Sequence, residues 1–499
     1  MATVTSNCLF QKNNDNILVV YNAPKGYEIS DDYSVKVRLE ENDWIDVPVY
    51  FAEVTRKNFE CNRKSFFASV DLCGAAEFKI TPKKTFTKCR VRPESDGIVF
   101  RTESGAVGFS VDKPCQLSVE FDGDIFGNLQ LFVNPLESYV PDKTDPDVIY
   151  LEPGIHSYEN CPHITLGKNG ESNVNVLYLE SNTTLYIAGG AVLKAMVIVK
   201  PNSENIKILG RGIIDLLDYN VQSGNMAEIK EKNNGMYPQG LSLNKSKNLE
   251  IDGIIIKNSC GYAIMGNSMN NVTIDNVKLF NRCDCSDGID FVASSDITIK
   301  NCYIRSNDDG IAVYASRWEY KGSSKNWLVD NCVFMVDCAH GINIGTHGSQ
   351  DAENRDEICD IVFRNLDFLD VYEQNRYYWG VIAFTVGDEN FVHDITFENI
   401  RVYPTEGARP FTIKTDLNKS FNPNPGYRIE NIHFRNIEFV GTDYITDFKE
   451  KSLIKGCSPE NIVTGLYFEN VTFCGEKLTE QNYEKYFDIG ENAEKIHFN

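Results

Sequence analysis

The sequence predicts an all-β protein: a right-handed parallel β-helix preceded by an N-terminal β-sandwich-like domain. Three observations lead there: an Asn-flanked apolar phrase that returns along the last two thirds of the chain, a run of short strands before it, and a Pro- and Asp-rich join.

From Thr3 to about Glu137, runs such as ILVVYNA, SVKVRL, FFASVDL, GIVFRT and KPCQLSVEF alternate with turn residues. That alternation marks half-buried strands. SYVPDKTDPDV, from Ser138 to Val148, has the composition of a linker. The expected domains are therefore 1–145, a capping sandwich, and 146–499, the β-helix.

Beyond Ile149 the phrase recurs as NLEIDGIIIKN, NVTIDNVKLFN, DIVFRNLDFL and NIHFRNIEFV, among others. Its openers Leu249, Val272, Ile297, Leu328, Ile361, Ile395, Ile432 and Leu466 are separated by 23, 25, 31, 33, 34, 37 and 34 residues. A period with a floor in the low twenties and no helical periodicity fits one β-helix coil lengthened by later insertions. Leucine-rich repeats need an L-x-x-L-x-L-x-x-N frame, whereas these phrases are rich in Ile, Val and Phe with Asn at the turns. Stacked Asn side chains would satisfy corner backbone groups from coil to coil. An uncovered first coil would be a bare sheet edge, so the N-terminal module is expected to pack over it.

The net charge of −22 over 499 residues disfavours nucleic acid and anionic membrane surfaces as partners. An anionic polysaccharide stays open, because a few Lys or Arg dominate within a Debye length of roughly 8 Å. No segment reaches the apolar length of a membrane span. The N-terminus, MATVTSNCLFQKNNDN, lacks a secretory pattern, and with fifteen scattered cysteines a cytoplasmic protein with reduced thiols is expected. Cys283 and Cys285 form a C-x-C without a second pair at zinc spacing, so neither a metal nor another cofactor is expected. The oligomeric state is left open.

Aligning the coils on their second strands brings Cys260-Gly261-Tyr262, Asp287-Gly288-Ile289, Asp309-Gly310-Ile311, His340-Gly341-Ile342 and Trp379-Gly380-Val381 into one column. Asp287 and Asp309, 22 residues apart, would stack at about one strand spacing, 4.7 to 4.9 Å. Asp-Gly is also an ordinary turn sequence, but acids in register on adjacent coils, with His340 next, point to chemistry. With Asp308 displaced from the column, the cluster meets the demand of inverting glycoside hydrolysis: a base that activates water and an acid about 6.5 to 9.5 Å away that protonates the leaving oxygen. In PFTIKT, Thr412 and Lys414 share a face, and Lys414 is positioned near the acids.

These residues resemble the four signatures of the polygalacturonases, glycoside hydrolase family 28. SDGID from Ser286, NDDGI from Asn307, AHGINIG from Ala339 and TIK from Thr412 stand where the family has N-T-D, D-D, G-H-G and R-I-K. The resemblance implies Asp308 as general acid, Asp287 and Asp309 as the pair that activates water, and His340 and Lys414 in binding and catalysis. Ser286 and Ala339 are small replacements. Thr412 stands where the family's Arg contacts substrate, which questions galacturonate specificity and suggests a neutral or modified sugar beside Lys414. The N-terminal module is also similar to that of the family 49 dextranases and isopullulanases, so an α-glucan hydrolase is an alternative.

Two loops, SRWEYKGSSKNW from Ser316 and YEQNRYYWG from Tyr372, supply Trp318, Tyr320, Tyr377, Tyr378 and Trp379 as candidate sugar platforms. Arg317, Arg376 and Arg409 could replace the missing arginine as a carboxylate fork. His347 reads as a loop residue. A polysaccharide lyase would need a basic catalytic residue, usually with calcium, and a non-catalytic binding β-helix would have no reason to stack two acids. The expected function is hydrolysis of α-glycosidic bonds in pectin-derived or related oligo- or polysaccharides.

Overall fold

Asparagine turns this chain. In the structure, a computed structural model describing residues 3–5, 8–13, 15–56, 63–167, 172–373, 375–378, 380–403, 409–441 and 450–499, Asn182, Asn205, Asn248 and Asn271 occupy successive coil corners. Their φ values of 64, 60, 59 and 55° lie in the left-handed region that Asn tolerates better than most residues. The amides of the last three each donate to the Asn of the coil before, at 2.9, 3.1 and 2.8 Å in turn. A second ladder links Asn365, Asn399, Asn436 and Asn470 at 2.8–3.2 Å.

Between corners the strands stack into a right-handed parallel β-helix. Two of its faces merge into a 19-stranded sheet, and the third is a 12-stranded sheet from Ile164–Leu166 to Phe487–Ile489. Inward side chains fill the bore. Phe363, Phe397, Phe434 and Phe468 stack with ring centroids 4.7–5.2 Å apart.

The N-terminal residues form an eight-stranded and a five-stranded sheet around a core that includes Val35, Phe78 and Leu117. The structure corrects the expected position of this module. It lies along the flank of the helix, where Tyr50, Phe67 and Phe132 meet Phe280, Tyr303, Met335 and Leu369. Polar contacts follow the same seam: Arg211 Nε lies 3.0 Å from Asp71 Oδ1, and Lys257 Nζ donates to the Phe51 carbonyl at 2.8 Å. At the first coil, strand Ile164–Leu166 instead runs antiparallel to Asn175–Leu179, with Cys161 and Ile164 in the core. That hairpin occupies the free edge, while outward aromatics such as Phe280 and Tyr303 need cover from the side.

Candidate active site

Strands Ile289–Val292, Ile311–Tyr314, Ile342–Ile344, Ile382–Val386 and Phe411–Thr415 pair in parallel succession, with Ile289, Ile311, Ile342, Ile382 and Phe411 aligned. Two positions earlier stand Asp287, Asp309 and His340. Glycine follows each for a steric reason. A Cβ on Gly288 would sit 2.4 Å from the Gly310 carbonyl, on Gly310 2.5 Å from the Gly341 carbonyl, and on Gly341 2.8 Å from the Val381 carbonyl. The coil backbones approach too closely here for any side chain.

The ends of the expected column need correction. Ala263 N donates to the Asp287 carbonyl at 2.9 Å and Ile264 pairs with Ile289, so Tyr262, not Cys260, neighbours Asp287. Ile342 pairs with Ile382, so Gly380 rather than Trp379 follows His340. Gly261 answers the Tyr237 ring and Gly380 the Thr412 side chain, so a shared glycine did not mean shared register. Trp379 lies outside the described residues.

Carboxylate oxygens of Asp287, Asp308 and Asp309 come within 4.8 Å of one another. This is tighter than the gap expected for Asp308, and one cause is local: the Asp309 N–H donates to Asp308 Oδ1 at 3.0 Å, folding that side chain back over its own backbone. Asp309 is buried and well supplied with donors. His340 Nδ1 lies 2.7 Å from Oδ1, the His340 N–H donates to the same oxygen at 3.1 Å, and Asn343 Nδ2 donates to Oδ2 at 2.8 Å. Burial alone would raise the Asp309 pKa, but His340 and these hydrogen bonds outweigh it and hold the carboxyl below its usual range. Asp287 goes the other way. Burial, then the Asp290, Asp308 and Asp309 charges, push it well above the usual carboxylate range. Two stacked acids thus have environments that separate their protonation behaviour.

The acids open into a cavity of about 320 Å³, whose lining includes Tyr262, Tyr314, Arg317, His340, His347, Glu373, Tyr377, Tyr378, Lys414 and Phe421. Two cations flank the acids. Lys414 Nζ is 2.9 Å from Asp416 Oδ2, which offsets its charge. Arg317 has its guanidinium 4.1 Å from the Trp318 ring centroid and 5.2 Å from that of Tyr314. Among the described residues no carboxylate reaches ion-pair distance of Arg317. The three acids, and separately Glu357, Cys359 and His393 in the other sheet, are described groups close enough to hold a cation.

Other expected contacts fall away from the cavity. Thr412 is buried beneath Gly380 and does not line it. Trp318 is 52% exposed and lies over Arg317 rather than in the lining. Arg376 points outward to Glu450, 2.6 Å away. The Arg409 carbonyl accepts from Val381 N at 2.9 Å, tying that residue to the coil backbone outside the lining. Conversely, His347 is more than a loop residue: its ring lies 5.0 Å from that of Tyr314, and burial beside Arg317 lowers its pKa to about 3, leaving it neutral.

Sequence reasoning missed Tyr262, Asp290, Tyr314, Asn343 and Glu373. Strand alternation could have found Asn343, since it stands between the core residues Ile342 and Ile344 and in register with Ala312 and Asp290 on the two preceding coils. Glu373 reaches in from a separate loop to accept from Ala339 N at 3.1 Å, and no local pattern announces it.

A family model described as glycosyl hydrolases family 28 matches residues 173–486. The chain is 28% identical over 232 residues to an Aspergillus niger protein named "Putative galacturan 1,4-alpha-galacturonidase A", covering 42% of this chain and 49% of that one. It is 26% identical over 245 residues to "Probable endopolygalacturonase D" of Neosartorya fischeri, covering 48% and 44%. The chain thus spans about half the length of the curated relatives it matches. Among solved structures, Dex49A from Penicillium minioluteum aligns with a TM-score of 0.64 at 14% identity over 98% of both chains. A family 28 exopolygalacturonase from Yersinia enterocolitica aligns with a TM-score of 0.51 at 14% identity over 96% of both. These two likenesses show the fold.

Proposed function

The chain belongs to glycosyl hydrolases family 28, and from that premise we propose that it hydrolyses α-galacturonide bonds in pectin-derived oligo- or polysaccharides with inversion at the anomeric carbon. The observation that carries the reading is the carboxylate cluster at the cavity base, with Asp309 held ionised and Asp287 raised.

Asp308, half-buried and open to the cavity, delivers a proton to the glycosidic oxygen as the C1–O bond breaks. Asp287 and Asp309, stacked in register, hold a water between them. Its oxygen bonds to C1 from the opposite face, and its released proton passes to the carboxylate pair. A positive charge developing at the sugar ring is stabilised by ionised Asp309. His340 orients Asp309, and Tyr378, whose ring centroid is 6.2 Å from that of His340, offers a face for the sugar.

Arg317 supports a uronate over a neutral sugar at one end of the cleft, since its fork has no carboxylate partner within the described protein. At the other end Lys414 is offset by Asp416, and a neutral or modified sugar fits there. The relatives' names favour galacturonides over the α-glucan alternative, which rests on shared fold. The test is release of new reducing ends from galacturonide oligomers, polygalacturonate, dextran and pullulan, by the wild type and by Asp308→Asn. Turnover of galacturonides that Asp308→Asn abolishes is expected; turnover confined to the glucans, or retained by the variant, overturns the proposal.

A further inference from the structure

Strand Ile289–Val292 carries a fourth acid, Asp290, that the mechanism above does not use. It is fully buried, and its in-register neighbours, Met265 and Ala312, offer no side-chain donor. Among the described residues no N–H or hydroxyl donates to either of its carboxylate oxygens. Its polar contact is another acid, Asp287, whose carboxyl lies against it. Two ionised carboxylates in contact in a buried site are strongly unfavourable, and a single proton between them removes the conflict by turning repulsion into a hydrogen bond.

We propose that Asp287 and Asp290 form a proton-sharing carboxyl pair in which Asp290 is a positioning residue, making Asp287, rather than Asp309, the base that takes the proton from the attacking water. This rests on the hydrolase reading above and deepens it. Before the reaction the pair holds one proton and one negative charge. As water's oxygen bonds to C1, its proton moves to Asp287 and the pair becomes neutral, while Asp308 loses its proton to the leaving oxygen. Asp309, saturated with donors from His340 and Asn343, keeps its charge.

The groups facing the pair come from every neighbouring coil: Tyr262 before it, Asp308, Asp309 and Tyr314 after it, and Arg317 from the loop beyond. Of these, Arg317 alone is cationic, and it is not within ion-pair distance of either acid. Burial and the neighbouring acids raise both members of the pair well above the usual carboxylate range. The direction agrees with one retained proton.

The test combines Asp290→Asn with infrared difference spectroscopy of the folded wild type. Removing the negative neighbour eases ionisation of Asp287. The acid limb of kcat is therefore expected to move down by about one pH unit or more and kcat to fall about tenfold or more, with KM within about twofold. The wild type is expected to show two protonated-carboxyl contributions at neutral pH, one from Asp308 that Asp308→Asn removes and one from the pair that Asp290→Asn removes. An acid limb that stays in place with kcat unchanged overturns the proposal. So does protonated-carboxyl absorption that vanishes entirely in Asp308→Asn, a comparison that is readable even if Asp290→Asn does not fold. The spectrum also needs no turnover, so failure of the pair is distinguishable from failure of the proposed substrate.

Discussion

His340 contributes twice to one oxygen of Asp309: its Nδ1 lies 2.7 Å from Oδ1 and its own N–H donates there at 3.1 Å. The side chain and backbone of one coil thereby fix the carboxylate of the coil before it. His340→Gln removes the ring while leaving the backbone donor. Since His340 is what outweighs burial, Asp309 will then protonate at a higher pH than in the wild type. The acid limb of kcat/KM is expected to move upward and activity at pH 6 to fall roughly tenfold or more. The sign follows from the depressed pKa: the benefit of His340 is present above the ordinary carboxylate range and disappears as pH falls through the pKa of folded Asp309. A pH–rate profile checks the direction.

Arg317→Ala is expected to weaken galacturonide turnover. Losing one charged partner of a buried pair is worth on the order of 2 to 5 kcal/mol, with the upper part applying only if the uronate is fully desolvated. Arg376→Ala and Arg409→Ala, at positions outside the cavity lining, are expected to stay within about twofold of wild type in kcat/KM. Comparing the three on one oligogalacturonide assigns the carboxylate grip.

Much of this arrangement is legible in the sequence. The β-helix declares itself because one coil is one sequence phrase, and the Asn ladder fixes where each phrase turns. Asp287, Asp309 and His340 were legible because each precedes a glycine for which the next coil's carbonyl leaves no room. Reading every glycine that way misled the register at Gly261 and Gly380, where crowding by Tyr237 and by Thr412 imposes the same residue for other reasons. Asp290 was overlooked because its importance comes from its contact with Asp287 in a buried place where no described donor reaches it, and no motif encodes that. The flank position of the sandwich was likewise hidden, since Phe280 and Tyr303 look the same in sequence whether they face the bore or a neighbouring module.

Gly310→Ala tests the steric argument. A methyl 2.5 Å from the Gly341 carbonyl forces the coils apart, and overpacking of this kind destabilises by about 1 to 3 kcal/mol. A lower urea midpoint is expected, together with lost activity, because the shift separates Asp309 from His340. A variant as stable and as active as wild type would show that the coils have slack there.

The most direct measurement is the anomeric configuration of the first product. Proton NMR of a trigalacturonate digest, recorded before mutarotation, is predicted to show the β-anomer at the new reducing end, as attack by a water held between Asp287 and Asp309 requires. Initial release of the α-anomer would mean that a carboxylate bonded to the sugar, and would contradict the assignment of that pair to water.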